Sequence, residues 1–206
     1  YNPDIEKIFS KSLKHSLNVL YKISCEKEKK IYLVGGIVRD IFLGRNSADI
    51  DIVLEGDCQE FAACVIPKFP VSKHRFTERF MTYNIFTKTG TNIDIASFRE
   101  ERYEYPGALP KVFPSSIEND YIRRDFSINA MYISFDEKAE LYDPLNAISD
   151  LKNKIIRIIH DKSFEDDPTR IFRAVKFAAR YNFNFDENTE RLLLEAVEKN
   201  YLSTIS

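Results

Sequence analysis

The sequence predicts an α+β protein: a mixed sheet with flanking helices, followed by an all-helical segment. Three observations lead there. Short apolar runs alternate with helical periods over the first 149 residues, two β-rich runs flank a hairpin signal, and helical periodicity takes over from Asp150. The division is therefore expected at 1–149 and 150–206. A chain of 206 residues, 44% hydrophobic and 30% charged, is able to bury a core of this kind.

From Asp4 to Cys25 the residues Ile5, Ile8, Phe9, Leu13, Leu17 and Leu20 recur at helical spacing and predict an amphipathic helix. Ile31 to Val34 predicts a buried strand, Gly35-Gly36 a turn, and Ile37 to Leu43 a helix closed by Gly44. Asp49 to Leu54 alternates as a strand. A helix over 58–66 follows Gly56, before Pro67 and Pro70 break the pattern. Met81 to Thr87 and Thr91 to Ser97 are strands joined through Lys88-Thr89-Gly90. Arg99 to Asn119 holds Pro106-Gly107, Pro110 and Pro114, has no period and predicts a long loop. Lys154 to Ile159 reads as a last strand. Asp167 to Tyr181 and Glu187 to Lys199 read as helices, with apolar faces at Phe172, Val175 and Ala179 and at Leu192, Leu193 and Val197.

Composition excludes several classes. Apolar runs fall far short of the roughly 20 residues a spanning helix needs, and Tyr1 does not open a signal peptide. Three cysteines, Cys25, Cys58 and Cys64, with no C-x-x-C pair, suggest neither a disulfide framework nor a zinc site, so a reducing cytoplasm is expected. With 30 Lys and Arg against 32 Asp and Glu the net charge is -2, so any polyanion must be met by a local patch. A start without methionine and a stop just beyond an apparent helix are expected of a fragment of a longer protein.

The chemistry concentrates early. Of six glycines, three lie between Gly35 and Gly44. After a strand, Gly35-Gly36 lets backbone come close to a ligand, the next helix offers free N–H groups to a phosphate, and Arg39 adds positive charge or pairs with Asp40. Asp49 and Asp51, two apart on a strand, share one face while Ile50, Ile52 and Leu54 point inward. Side by side the two carboxylates repel, and a divalent cation such as Mg²⁺ removes the conflict. Asp94, in Ile93-Asp94-Ile95, has the same alternation and is either a third catalytic carboxylate or an exposed hairpin acid. Asp167-Pro168 is a helix-start signature that sets Asp167, Arg170 and Arg173 along one side.

Leu33-Val34-Gly35-Gly36-Ile37-Val38-Arg39-Asp40 with Asp49-Ile50-Asp51, then Arg123-Arg124-Asp125-Phe126-Ser127-Ile128-Asn129-Ala130-Met131, then Asp166-Asp167-Pro168-Thr169-Arg170-Ile171-Phe172-Arg173-Ala174, resemble in order the class II tRNA nucleotidyltransferase and bacterial poly(A) polymerase family. The resemblance implies a polymerase-β-like nucleotidyltransferase head over 1–149 and a helical neck over 150–206, in an enzyme that adds C and/or A to the tRNA 3′ end from CTP or ATP and releases pyrophosphate. It implies that Gly35, Gly36 and Arg39 hold the triphosphate and that Asp49 and Asp51 hold two Mg²⁺ ions. Arg124 and Asp125, helped by Asn129, would meet phosphate and ribose. Asp167 and Arg170, with Arg173 beyond, would read the base.

Two departures stand out: Asp166 where the family often has glutamate, and Lys176 where many members have arginine, which turns a bidentate contact into a point charge. The Arg99–Asn119 loop occupies the place of a family loop that helps switch from C to A addition, and its Arg99, Arg102, Tyr103 and Tyr105 suit either primer contact or a plain surface role. A poly(A) polymerase is the close alternative, although the glycine of its Gly-Arg-Arg-Phe-like segment is missing from His74-Arg75-Phe76-Thr77-Glu78-Arg79-Phe80. A non-catalytic nucleotide- or RNA-binding module is the more distant one. His15, His74 and His160 sit in unrelated contexts and receive no role.

Overall fold

The computed structural model describes residues 10–47, 49–136 and 138–205. Helix α1 (Lys11–Glu26) is capped by Ser10, whose Oγ accepts from the Leu13 N–H, and it buries Leu13, Leu17, Leu20 and Ile23. Ile5, Ile8 and Phe9 lie outside the described residues. Strand β1 (Ile31–Val34), helix α2 (Gly36–Phe42), strand β2 (Asp49–Leu54) and helix α3 (Cys58–Val65) follow as the sequence predicts. Next come β3 (Val71–Thr77), β4 (Thr82–Thr87), β5 (Asn92–Ser97), β6 (Arg99–Arg102), β7 (Lys111–Pro114) and α4 (Ile117–Ile122). The chain continues through β8 (Tyr132–Ser134), β9 (Leu141–Tyr142), α5 (Ala147–Asn153), β10 (Ile155–Ile156), α6 (Ser163–Asp166), α7 (Thr169–Tyr181), β11 (Asn184–Phe185) and α8 (Glu187–Glu198).

The main sheet is ordered β3-β4-β5-β2-β1-β8-β9. It is mixed because β2 runs parallel to β5 while the other neighbours are antiparallel. A parallel pair needs a crossover, and α3 with the β3-β4 hairpin supplies it. Ile50, Ile52 and Leu54 of β2, Ile93 and Ile95 of β5 and Tyr83 and Ile85 of β4 are buried against the helices. Strand alternation then leaves Asp51, Asp94 and Asn84 on the opposite, open face.

Two expectations need correction, and an edge strand went unpredicted. Residues 99–119 are not a structureless loop: β6 and β7 form a hairpin, with Arg99 opposite Pro114 and Arg102 opposite Lys111. Strand β6 shows no hydrophobic alternation because its same-face pairs are ionic, Arg99 with Glu101 and Arg102 with Glu100. Strand β3 was not predicted at all, since as an edge strand its side chains are largely exposed and polar. Residues 150–206 are not purely helical: the strand expected within Lys154–Ile159 forms as β10, and it pairs in parallel with the unexpected β11, Ile155 with Asn184 and Ile156 with Phe185. One continuous core runs from Leu13 to Ala196 and takes in Ile171 and Ala174 of α7.

Candidate active site

A polar cavity of about 520 Å³, within the usual size range of ligand sites, opens on the free face of the sheet. Its walls include Gly35, Gly36, Arg39, Asp51, Asp94, Arg124, Asp125, Asn129 and Arg173. Nine of the residues singled out by sequence thus meet in one place. Gly35 adopts φ +70°, a conformation that favours glycine, and turns the chain from β1 into α2. A Cβ at Gly35 or Gly36 would stand 3.6 or 3.5 Å from Asp51 Oδ2, so the turn lies directly against this carboxylate, and the Gly36 N–H donates to it.

Asp51 and Asp94 are register partners on adjacent strands, as are Asp49 and Asn92. Burial, reinforced by the charges of Asp94 and Asp49, pushes the Asp51 carboxyl up from its ordinary value near 3.8 to about 6, against the pull of Arg124. Burial likewise raises the Asp94 carboxyl, opposed by a 2.7 Å hydrogen bond from Asn84 Nδ2 and aided by Asp49. Asp49 is exposed at the start of β2, where Oδ1 accepts from Asn92 Nδ2 at 2.8 Å. Among the described residues no three Asp, Glu, His or Cys side chains gather tightly enough to enclose a metal. Such a site suits an ion held by one or two carboxylates and completed by substrate phosphates, the habit of Mg²⁺.

Arg39 is paired and still part of the wall. It is 5% exposed, donates from Nε to Asp40 Oδ1 at 3.0 Å and from Nη1 to Asn129 Oδ1 at 2.6 Å, and lies over the Phe177 and Tyr181 rings of α7. Asn129 in turn donates from Nδ2 to Asp125 Oδ1 at 3.0 Å. The other oxygen of Asp125 accepts from Arg173 Nε and Nη2 at 2.8 and 2.5 Å, so α7 is tied to the cavity wall by a two-pronged ion pair. Lys176 and Arg180 also line the cavity and make its α7 side cationic.

Asp167 and Arg170 lie away from this cavity. Asp167 caps α7 itself, its Oδ1 accepting from the Thr169 N–H at 3.0 Å and hydroxyl at 2.6 Å. Asp166 instead ends α6, with Oδ2 4.0 Å from His160 Nε2. Arg170 is 4% exposed and donates to Ser163 Oγ at 2.8 Å and to the Arg123 carbonyl at 2.6 Å. With Glu101, Tyr103, Arg123 and His160 it lines a separate hollow of about 230 Å³ beneath the β6-β7 hairpin.

Sequence reasoning missed the residue that organises this side. Asp120, 0% exposed on α4, accepts on Oδ1 from Arg123 Nε and Nη2 at 2.9 and 2.6 Å, and on Oδ2 from Arg124 Nη2 and the Tyr132 hydroxyl at 2.7 and 2.8 Å. Burial alone would raise its pKa, but the Arg124 and Arg123 guanidinium groups hold it far below the usual carboxylate range. The signal was present as an acid three and four residues ahead of Arg123 and Arg124, one helical turn away. Arg99, which the sequence offered for primer contact or a plain surface role, lines the cavity and donates to Thr82 Oγ1 at 2.9 Å and to the Phe80 carbonyl.

Residues 31–157 match the family model described as the Poly A polymerase head domain. The chain is 45% identical over 171 residues to an A-adding tRNA nucleotidyltransferase of Aquifex aeolicus, covering 82% of this chain and 20% of that protein. It superimposes on an apo form of a CCA-adding enzyme with a TM-score of 0.84 and 42% identity, covering 96% of this chain and 47% of that one. Against the Thermotoga maritima CCA-adding enzyme complexed with tRNA the TM-score is 0.83 at 39% identity, over 98% and 46% of the two chains. The chain therefore spans about half the length of these solved relatives and a fifth of the Aquifex protein. A glycine turn against a buried acid, on a sheet of this order and with this match, makes the chain a member of the Poly A polymerase head-domain family.

Proposed function

We propose that the chain is the catalytic part of a template-independent nucleotidyltransferase acting on the 3′ end of tRNA in the cytoplasm, with ATP, CTP or both as donor. The observation that carries this reading is the Asp51 carboxylate, raised to about 6 and pressed against the Gly35-Gly36 turn in a cavity rimmed by arginines. The relative named for A addition favours ATP.

The donor set fits divalent cations: hard carboxylate oxygens that repel one another, beside backbone able to take phosphate. Asp51 and Asp49 would hold two Mg²⁺ ions. Bound there, the ions would sharpen the primer hydroxyl as a nucleophile and neutralise charge on the departing pyrophosphate. The chain's own groups do the rest. The turn and Arg124 orient the triphosphate so that the primer 3′ oxygen bonds to the α-phosphorus as the bond to the pyrophosphate oxygen breaks. Asp94, whose burial favours protonation, takes the hydroxyl proton. Asp125 and Asn129 face the sugar. Residues 150–206 form the base-reading part, in which Asp167 and Arg170 leave their present hydrogen bonds to meet the base edge and Arg173 supports them.

Incubating the chain with Mg²⁺, labelled ATP or CTP and tRNA lacking its terminal nucleotides tests the proposal. One to three added residues are expected. A long A tract would instead mark a poly(A) polymerase, and no incorporation together with intact nucleotide binding a non-catalytic module.

A further inference from the structure

The acidic face of the sheet has two sides. On one, the glycine turn, Arg124 and the cations of α7 close around Asp51. On the other the face runs outward over three strands to the sheet edge. Register places Asp51 beside Asp94, Asp94 beside Asn84 and Asn84 beside Arg75, one row across β2, β5, β4 and β3. The row below it runs Asp49, Asn92, Phe86, Lys73. At ordinary strand spacing Arg75 stands about 14 Å from Asp51.

This outer half is built of RNA-binding materials. Lys73 and Arg75 are exposed, and neither makes an ion pair or side-chain hydrogen bond with a described residue. Phe86 between them and the acids is 37% exposed, although every other large apolar side chain of β4 and β5 is buried. Lys68, Lys73, Arg75 and Arg79 fall within twelve residues that hold one acid, Glu78, in a chain whose net charge is -2. Here is the local cationic patch that a polyanion requires.

Resting on the proposed nucleotidyl transfer, we propose that this outer sheet face carries the 3′-terminal single strand of the RNA primer. Lys73 and Arg75 meet its phosphates, Phe86 stacks a base, and the 3′ hydroxyl is delivered to Asp94 and Asp51 from the side opposite the triphosphate. An edge strand charged merely to prevent aggregation explains Lys73 and Arg75 but not the bared phenyl ring of Phe86.

The probe is a 5′-fluorescein single-stranded RNA hexamer ending in CC with a free 3′ hydroxyl, titrated by anisotropy at several salt concentrations. Lys73→Glu with Arg75→Glu is expected to weaken binding at low salt by at least about tenfold and to flatten the logarithmic salt slope by about 1.4, two phosphate contacts on a single strand. Phe86→Ala is expected to weaken binding about tenfold at an unchanged slope. The exchanged pair Lys73→Arg with Arg75→Lys is expected to bind as the unsubstituted chain does. ATP and CTP affinities and the melting temperature hold constant throughout. Unchanged hexamer affinity and slope in the charge-reversed chain, with ATP and CTP still bound, would overturn the RNA path and leave nucleotidyl transfer standing. Failure of the unsubstituted chain to bind ATP and CTP would overturn both.

Discussion

Asp51→Asn is expected to lower nucleotide addition by at least about a thousandfold, the scale of several kcal/mol of lost transition-state stabilisation. The same change is expected to leave the metal-free fold as stable as before, or more so, at pH 7.5. The reason lies in the pKa. The folded protein raises the Asp51 carboxyl from near 3.8 to about 6, so above pH 6 the ionised group is carried at a cost that the unfolded chain does not bear. Asparagine has the shape without the charge and can still accept the Gly36 N–H. Catalysis and stability therefore move in opposite directions, as expected of an acid kept for its charge. Single-turnover addition and urea unfolding measure the two sides. Activity within tenfold of the unsubstituted chain, or a fold destabilised by more than about 2 kcal/mol, would remove Asp51 from the role assigned to it.

Asp120→Ala is the second large effect. It would leave the Arg124 guanidinium without its paired carboxylate, Arg123 with Glu101 alone, and the Tyr132 hydroxyl without its acceptor. Breaking one partner of a buried ionic cluster costs about 3–5 kcal/mol. Burial also opposes the charge on Arg124, which Asp120 foremost and Tyr132 sustain. Freed of Asp120, Arg124 no longer holds its position beside the glycine turn, and addition fails as well. Arg123 is loosened with it, and Arg123 supplies the carbonyl that accepts from Arg170. The midpoint of urea unfolding is the check. A shift equivalent to less than about 1 kcal/mol would mean that the arginines have found other partners.

What could be read from sequence, and what could not, divides along physical lines. Gly35-Gly36, Asp51 and Asp94 were legible as candidates because strand alternation and glycine punctuation are local; the structure sets Asp51 against the turn, and beside it Asp94, for which the sequence had also allowed an exposed hairpin acid. Strands β6 and β3 were illegible because their alternation is written in charges or in an exposed edge. Asp120 was hidden for a different reason: a buried acid is recognisable only through the arginines that fold back onto it, and it stands just past the expected Arg99–Asn119 loop, where no element is predicted. Arg39 was half legible. Its place beside the cavity followed from the turn, but its burial under Phe177 and Tyr181 depends on α7, which arrives more than 130 residues later in the chain. Asp167 and Arg170 were correctly set on the start of a helix, yet in this structure one caps α7 and the other is bound to Ser163 and Arg123.

The most direct test of the central claim is thermal unfolding with and without Mg²⁺ at pH 7.5 and at pH 5. At the higher pH Asp51 is ionised and its repulsion with Asp94 is relieved by the cation, so Mg²⁺ is expected to raise the melting temperature. At pH 5 a proton does the same service on a carboxyl whose pKa is about 6, and the rise should largely vanish. An equal rise at both pH values, or one that persists in Asp51→Asn, would contradict a divalent-ion site at this carboxylate.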